Sequence, residues 1–336
     1  MHNSRLKSLI NKMLSDVKSA ENEADLIKII DEAISFGEPL KYDNTIQFLL
    51  SGFCCIFIAV FVSMVYFSYG VIHQNAIVIS LIISVIGVMS FVFTFMRRSE
   101  ISDISNRIFE KDILFDNRLS IVQIKGSEHA SNLSSVFHEF ERGNHSREIR
   151  SLNAGNYSGE SYSFDYHIYN FHYVNKKIVN EKDGIWGGKA GKKTIYDRKN
   201  RYGIYLPFSF VGNIAILGFG APGFEGKRLK QESSNFNKRY KVYSAVELDA
   251  KRFLNSEVLT AFEGVGKIFK GLNFEFSSDA RLCMSFEDSD LISAKRTYGL
   301  DDPIKFLAEI EAYIPVPKLD KALNHIHLLM KHSPDV

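Results

Sequence analysis

Along the first hundred residues the apolar positions change rhythm twice. Leu6, Leu9, Ile10, Met13, Leu14 and Val17 recur every three or four positions, and Leu26, Ile29, Ile30 and Ile34 repeat the pattern. That spacing predicts two amphipathic helices. From Ile46 to Tyr69 the rhythm vanishes: 24 residues carry no charge, and after the connector Gly70 to Asn75 a further 21, Ala76 to Met96, are also uncharged. At about 1.5 Å rise per residue each run is long enough to cross a hydrocarbon core of about 30 Å. Two transmembrane helices are expected. Ile101, Ile104, Ile108 and Phe109 then resume helical spacing and extend the second helix as a stalk.

Beyond residue 150 the period shortens to two. In SYSFDYHIYNFHYV, Tyr162, Phe164, Tyr166 and Ile168 share one face before Tyr169, Phe171 and Tyr173 take over the other. This predicts a strand with a bulge, or one that passes between two packed layers. The stretch EKDGIWGGKAGKKTIYDRKN reads as the outer part of a long hairpin arm, and RYGIYLPFSFVGNIAIL as two strands broken near Gly212 and Asn213. Leu254, Val258, Phe262, Val265 and Phe269 form a helical stripe that Asn255 or Ser256 would cap. LNFEFSSDARLCMSFED predicts a hairpin turning at Ser278 and Asp279, Asp302 with Pro303 starts a helix, and Leu319 to Met330 gives a last amphipathic helix. The expected fold class is α+β. Amphipathic helices fill 1–44, a two-span hairpin 45–97 and a juxtamembrane stalk or linker 98–150, followed by a mainly antiparallel β domain with packed helices at 151–332.

Charge fixes an orientation. Lys28 and Lys41 precede the first span, Arg97, Arg98, Arg107, Lys111 and Arg118 follow the second, and the connector has neither Lys nor Arg. By the positive-inside rule both termini are cytoplasmic. With 41 basic and 39 acidic residues the net charge is +2, so no nucleic-acid partner is expected. Three cysteines, two of them adjacent at Cys54 and Cys55 in the first span, do not make a disulfide framework and fit reducing surroundings. Gly52, Cys55, Ala59 and Ser63 on one span, and Ser80, Ser84 and Gly87 on the other, have the small-residue spacing that lets helices approach closely. Packing within the hairpin is the expectation, with a homo-oligomer through spans and stalk as the alternative. No ionisable residue lies inside either span, which argues against an ion pathway.

Candidate chemistry is sparse. NIAILGFGAPG places Gly218, Gly220 and Gly223 after a strand as a dinucleotide loop would, and Glu247 ends a later strand. A nucleotide fold would need a buried helix next, and in FEGKRLKQESSN only Phe224 and Leu229 are apolar, so a tight turn is expected instead. GIWGGKAGKKT lacks the phosphate-loop spacing. His167 with His172, and His325 with His327, point apart on their elements, so neither pair chelates one metal. Glu287, Asp288 and Asp290 read as a charged turn, and Cys283 has no basic neighbours to activate it. No metal or other cofactor and no catalytic group is expected. What stands out is a basic arm, Lys189, Lys192, Lys193, Arg198, Lys199 and Arg201 beside Trp186, suited to anionic headgroups or a ligand.

FNKRYKVYSAVELDAKRFLNSEVLTAF, residues 236 to 262, resembles the most recognisable stretch of a bacterial family of two-pass membrane proteins described only as a domain of unknown function. Tyr240, Val242 and Tyr243 match its Val-Tyr strand, and Asp249 and Ala250 match its acid-Ala pair. Lys251 stands where Arg is expected, and Asn255 with Ser256 replaces a Thr-Pro helix start, so the chain resembles a divergent member. RYGIYLPFSFVGNIAIL and CMSFED resemble its neighbouring strands. The resemblance implies architecture and a bacterial inner (cytoplasmic) membrane location, and it brings no activity. The expected function is a membrane-anchored cytoplasmic binding or scaffold protein without catalysis. The alternatives are a ligand-responsive membrane effector, as in stress or phage defence, and a hydrolase using Glu247, Asp249 and Glu287.

Overall fold

The structure is a computed structural model that describes residues 2–38, 40–67, 74–180, 192–220, 223–224 and 226–333. Trp186 and Lys189 lie outside the described residues, as does most of the connector between the two apolar runs. Contacts divide the chain into two compact units, Met1–Asp116 with Ala294–Ile314, and Asn117–Ser293 with Pro315–Val336.

The first unit is helical. α1 (His2–Ser19) buries Leu6, Ile10, Met13 and Val17, and α2 (Glu23–Ser35) buries Leu26, Ile29, Ile30 and Ala33. These are the predicted stripes, shifted at their edges. Asn22 caps α2 by accepting a hydrogen bond from the Asp25 N–H, and Lys12 reaches Glu32 at 2.6 Å. α3 (Thr45–Phe67) and α4 (Gln74–Asp116) contain the two uncharged runs, and each is long and apolar enough to cross a membrane. Their side chains face outward: Ile46 is 76% exposed, Phe48 60% and Phe95 69%.

Where α3 meets α4, Gly87 sits against Cys54, at a point where an added Cβ would lie 2.9 Å from the Cys54 Cβ. Ser90 Oγ donates to the Gln47 carbonyl at 3.0 Å. Ser80 and Ser84 are half-buried on the same stripe of α4 as Gly87. The expected stripe on α3 is displaced, because Gly52, Cys55 and Ala59 are exposed and a Cβ on Gly52 would meet nothing within 4 Å. The contact runs through Cys54 instead, one residue and so about 100° around the helix.

Beyond the uncharged run α4 continues without a break, burying Ile101, Ile104, Ile108, Phe109 and Ile113. The segment from Ala294 to Ile314 belongs to this unit rather than to the β domain that the sequence suggested. Its helix Pro303–Ile310, α9 in chain order, packs on α2 and is capped by Asp302 as expected. The Leu300 N–H donates to Ser105 Oγ at 3.0 Å, and the Ile314 N–H to Asp116 Oδ2 at 2.6 Å.

The second unit starts at residue 117, earlier than the expected boundary at 151. Its elements are β1 (Ser120–Ile121), α5 (Gly126–Ser134), a 3-10 turn (His138–Glu141), β2 (Ser146–Ser158), β3 (Ser163–Asn180), β4 (Lys192–Pro207), β5 (Ile214–Leu217) and β6 (Lys227–Leu229). There follow α6 (Ser234–Arg239), β7 (Lys241–Ser244), α7 (Glu247–Phe253), α8 (Ser256–Val265), β8 (Asn273–Phe276), β9 (Arg281–Phe286) and α10 (Pro317–His332). The strands form one sheet in the order β1-β2-β3-β4-β9-β8-β5-β7-β6, with every described pair antiparallel.

The change of phase in β3 has a layered cause. Tyr169, Phe171 and Tyr173 pack under α5 and the 3-10 turn, with Ala130, Leu133, Phe137 and Phe140. The alternate positions Tyr166 and Ile168 are buried on the other face, the face on which α8 and α10 enclose Phe274 through Phe262 and His325. Both faces are therefore covered, and β3 keeps regular pairing with β4 from His167 to Asn180. The bulge sits in the partner strand, between Ile149 and Ser151 of β2.

Candidate functional site

Register places the polar positions of the central strands on one face. Tyr169 pairs with Gly203, Gly203 with Ser285, Ser285 with Asn273, and Asn273 with Leu217, so this row crosses five strands. Arg201, Cys283 and Glu275 fall on the same face by the two-residue alternation of a strand. The 3-10 turn covers it and drives Glu139 into its centre.

Glu139 is fully buried. Its Oε1 accepts from Arg142 Nε and from Arg201 Nε, each at 2.7 Å, and its Oε2 accepts from Arg142 Nη2 at 3.0 Å and Asn273 Nδ2 at 3.4 Å. Arg201 Nη2 also donates to Ser285 Oγ at 3.0 Å. Burial pushes the Glu139 carboxyl up, but Arg201 and Arg142 outweigh it and hold the group below the usual range. Glu275, 3% exposed, shifts the other way: burial, reinforced by the negative charge of Glu139, pushes it up to about 8. At neutral pH this site holds two guanidinium groups, one carboxylate and one protonated carboxyl.

The glycine loop closes over this cluster. The Gly218 N–H donates to the Leu272 carbonyl at 2.9 Å, an approach that only glycine permits because a Cβ there would sit 2.6 Å from that oxygen. The Phe219 N–H donates to Asn273 Oδ1 at 2.8 Å, and its ring lies 5.2 Å from the Arg201 guanidinium carbon and 5.4 Å from that of Arg142. Phe224 packs edge-on against His138 of the turn. β5 pairs antiparallel with both neighbours, so it lacks the parallel strand of a dinucleotide fold, and part of the loop that follows, 221–222 and 225, lies outside the described residues. On its outer side is a cavity of about 450 Å³ bounded by Phe219, Gly220, Phe224, Lys238, Arg239, Lys241 and Tyr243.

The arm is a two-stranded ribbon. β2 pairs with β3 only as far as Val174, and β9 with β4 only as far as Tyr202, so the pairs from Asn175–Asp197 to Asn180–Lys192 have no third strand. Lys192 and Lys193 are exposed there, and Arg198 and Lys199 are exposed at its base, with Lys199 next to Asp197 at 3.4 Å. Apolar side chains join them: Ile178 is 64% exposed, and Val179, Ile195 and Tyr196 about 45%. Arg201 is a correction. It is 1% exposed and bound to Glu139, since β4 passes under the turn at that position, and it is no part of the basic surface.

The other expected residues are dispersed. Tyr240 is buried with its hydroxyl on the Phe262 carbonyl at 3.2 Å, Val242 is buried, and Ala250 is buried on α7. Asp249 is exposed and borders a second cavity of about 330 Å³. Glu247 pairs with Lys227 at 2.9 Å and Lys251 at 3.0 Å, hydrogen bonds that hold its carboxyl down at about 2. Glu287, past the end of β9, faces Lys270 at 3.3 Å, so Glu247 and Glu287 are each ion-paired with lysine. Lys318 bridges Asp288 and Asp290 at 3.0 and 2.5 Å, which makes that turn an ion-pair site. Cys283 is buried, its Sγ 3.3 Å from the Tyr169 hydroxyl, and burial pushes its thiol well up, away from nucleophilic use. His172 Nδ1 meets Asn200 Oδ1 at 2.7 Å, His167 stacks on Tyr205, and His325 and His327 are buried on α10.

The sequence reading missed Glu139, Arg142, Asn273 and Glu275. The legible signal was the polar alternation in NFEF and RLCMSF. Comparison with protein-family models, curated proteins and solved structures finds no match for this chain.

Proposed function

We propose that the chain is a membrane-anchored binding protein. α3 and α4 lie in the bilayer, and both termini and the β-containing unit face the cytoplasm of a bacterial cell. The observation that carries this reading is the pair of uncharged helices whose large apolar side chains face outward, only 6% of each candidate span being buried. In water so much exposed apolar surface would drive association, whereas in lipid it is matched. The asymmetry of Lys and Arg around the hairpin sets the orientation, and the resemblance of residues 236–262 to a two-pass family supports the same architecture.

The ribbon arm is the membrane-facing contact of the soluble part. Lys176, Lys177, Lys192, Lys193, Arg198 and Lys199 face a single acid, Asp197, over its described residues. Each base contributes about 1 kcal/mol near an anionic surface, and Ile178, Val179 and Ile195 supply apolar contact. The experiment uses the single tryptophan, Trp186, which lies in the sequence joining β3 to β4. In vesicles containing the full chain, brominated phosphatidylglycerol is expected to quench its fluorescence more than brominated phosphatidylcholine does. Equal quenching by both lipids would remove the headgroup contact. Separately, release of the full chain by alkaline carbonate would remove the anchor.

A further inference from the structure

We propose that the cavity over the glycine loop binds a small phosphorylated ligand with a planar ring, the chemistry of a nucleoside phosphate. The inference goes beyond membrane anchoring and does not depend on the arm. Its volume, about 450 Å³, is that of a small-molecule site. The described lining contains Lys238, Arg239 and Lys241 and no acid. Among the described residues none of these three has a carboxylate partner within 4.0 Å, although Lys227 and Lys251 share Glu247 nearby. Arg239 lays its side chain over Gly266, so Lys238 and Lys241 are the cations at the hollow, and with no acid among its described lining residues they favour an entering anion.

The floor points the same way. Phe219 separates the cavity from the buried cluster, in which Arg142 and Arg201 outnumber the ionised Glu139. An uncompensated positive charge in a low-dielectric interior is costly, and an anion on the far side of the Phe219 ring offsets it. Glu275 does not cancel that charge at neutral pH, because burial keeps it protonated. Phe219, Phe224 and Tyr243 are the aromatic surface against which a planar ring can stack. The Phe219 backbone is fixed by Asn273, and that of Gly218 by Leu272, so the Phe219 part of this surface is formed before any ligand arrives.

Gly220 provides the test. Gly220 lines the cavity and a Cβ built on it meets nothing within 4 Å, so a larger side chain at this position is expected to take up space at the cavity wall. The full chain in detergent or nanodiscs would be titrated calorimetrically with adenosine and guanosine mono-, di- and triphosphates, with adenosine, and with inorganic pyrophosphate. At least one nucleotide is expected to bind below 1 mM, at least tenfold tighter than either adenosine or pyrophosphate. Gly220→Leu and the double variant Lys238→Ala/Lys241→Ala should each weaken that binding at least tenfold, with melting temperatures within about 2 °C of the parent. No nucleotide binding at 1 mM, pyrophosphate binding as tightly as the nucleotide, or unchanged affinity in the double variant would overturn the proposal. The lysine variant carries the test alone if Gly220→Leu fails to fold.

Discussion

Arg201 of β4 and Glu139 of the 3-10 turn, 62 residues apart in sequence, are joined by a 2.7 Å hydrogen bond with both side chains at most 1% exposed. That pair sets how the turn docks on the sheet. Removing one partner of a buried ion pair leaves a desolvated charge, which costs about 3–5 kcal/mol. Glu139→Gln leaves two guanidinium groups facing a neutral amide. It is expected to destabilise the sheet unit by that amount in a denaturant titration. A loss below about 1 kcal/mol would mean that the arginines find other partners.

Two protonated carboxyls predict a second effect, with one in each unit. Glu275 is pushed up to about 8 by burial and then by the charge of Glu139, and Asp112 of α4, 16 residues past the uncharged run, is pushed up to about 8 by burial and then by Asp116 and Glu23. Among the described residues neither Asp112 oxygen has a hydrogen-bond partner, and Glu275 Oε1 has none. In the folded chain each keeps a proton that the unfolded chain has released above its ordinary carboxylate range. Stability therefore falls as pH rises from about 4.5 to 8, by about 1.4 kcal/mol per pH unit for each fully shifted group. Glu275→Gln and Asp112→Asn should each raise the melting temperature at pH 7.5 and flatten its decline between pH 5 and 8. A variant that melts below the parent at pH 7.5 would contradict the assignment for that residue.

His325 has the opposite sign. Its ring lies between Phe262 and Phe274, with centroids 5.4 Å from each, and Nε2 has no hydrogen-bond partner among the described residues. Burial pushes its pKa down to about 3. The folded chain holds it neutral where the unfolded chain would bind a proton, so the stability present above about pH 6.5 is lost as pH falls toward 3. His325→Phe should weaken the acid sensitivity of the sheet unit between pH 6 and 4. Melting temperatures of the variant and the parent across that range would check it, and parallel curves would count against it.

How far the sequence reaches depends on what each pattern encodes. Apolar stripes such as Leu6, Ile10, Met13 and Val17 carry a period set by local helix geometry, the uncharged runs at 46–69 and 76–96 declare themselves by length, and α1, α3 and α4 follow them over the described residues. The caps at Asn255 and Asp302 are equally local. The buried cluster was illegible for a physical reason. In RLCMSF, the alternation of Cys283 and Ser285 with Leu282, Met284 and Phe286 is the same whether the polar face meets water or a covering turn. Only the distant His138–Glu141 segment decides between the two. Arg201 was misplaced on the surface for the same reason, since its charge was visible and its partner, 62 residues earlier, was not.

The return of Ala294–Ile314 to the helical unit sets an order of assembly. Ser105 and Asp116 receive their partners from Leu300 and Ile314, 195 and 198 residues further along the chain. At a synthesis rate of about 5–20 residues per second, the ribosome needs roughly 10–40 s to travel that distance. During that interval Ser105 and Asp116 await these partners, while the stretch from Asn117 to Ser293 is being synthesised. All nine described strands end by Phe286, so they can pair before the helical unit is closed, and a chain terminated between residues 287 and 293 contains α3, α4 and every one of these strands but lacks the segment that completes the helical unit.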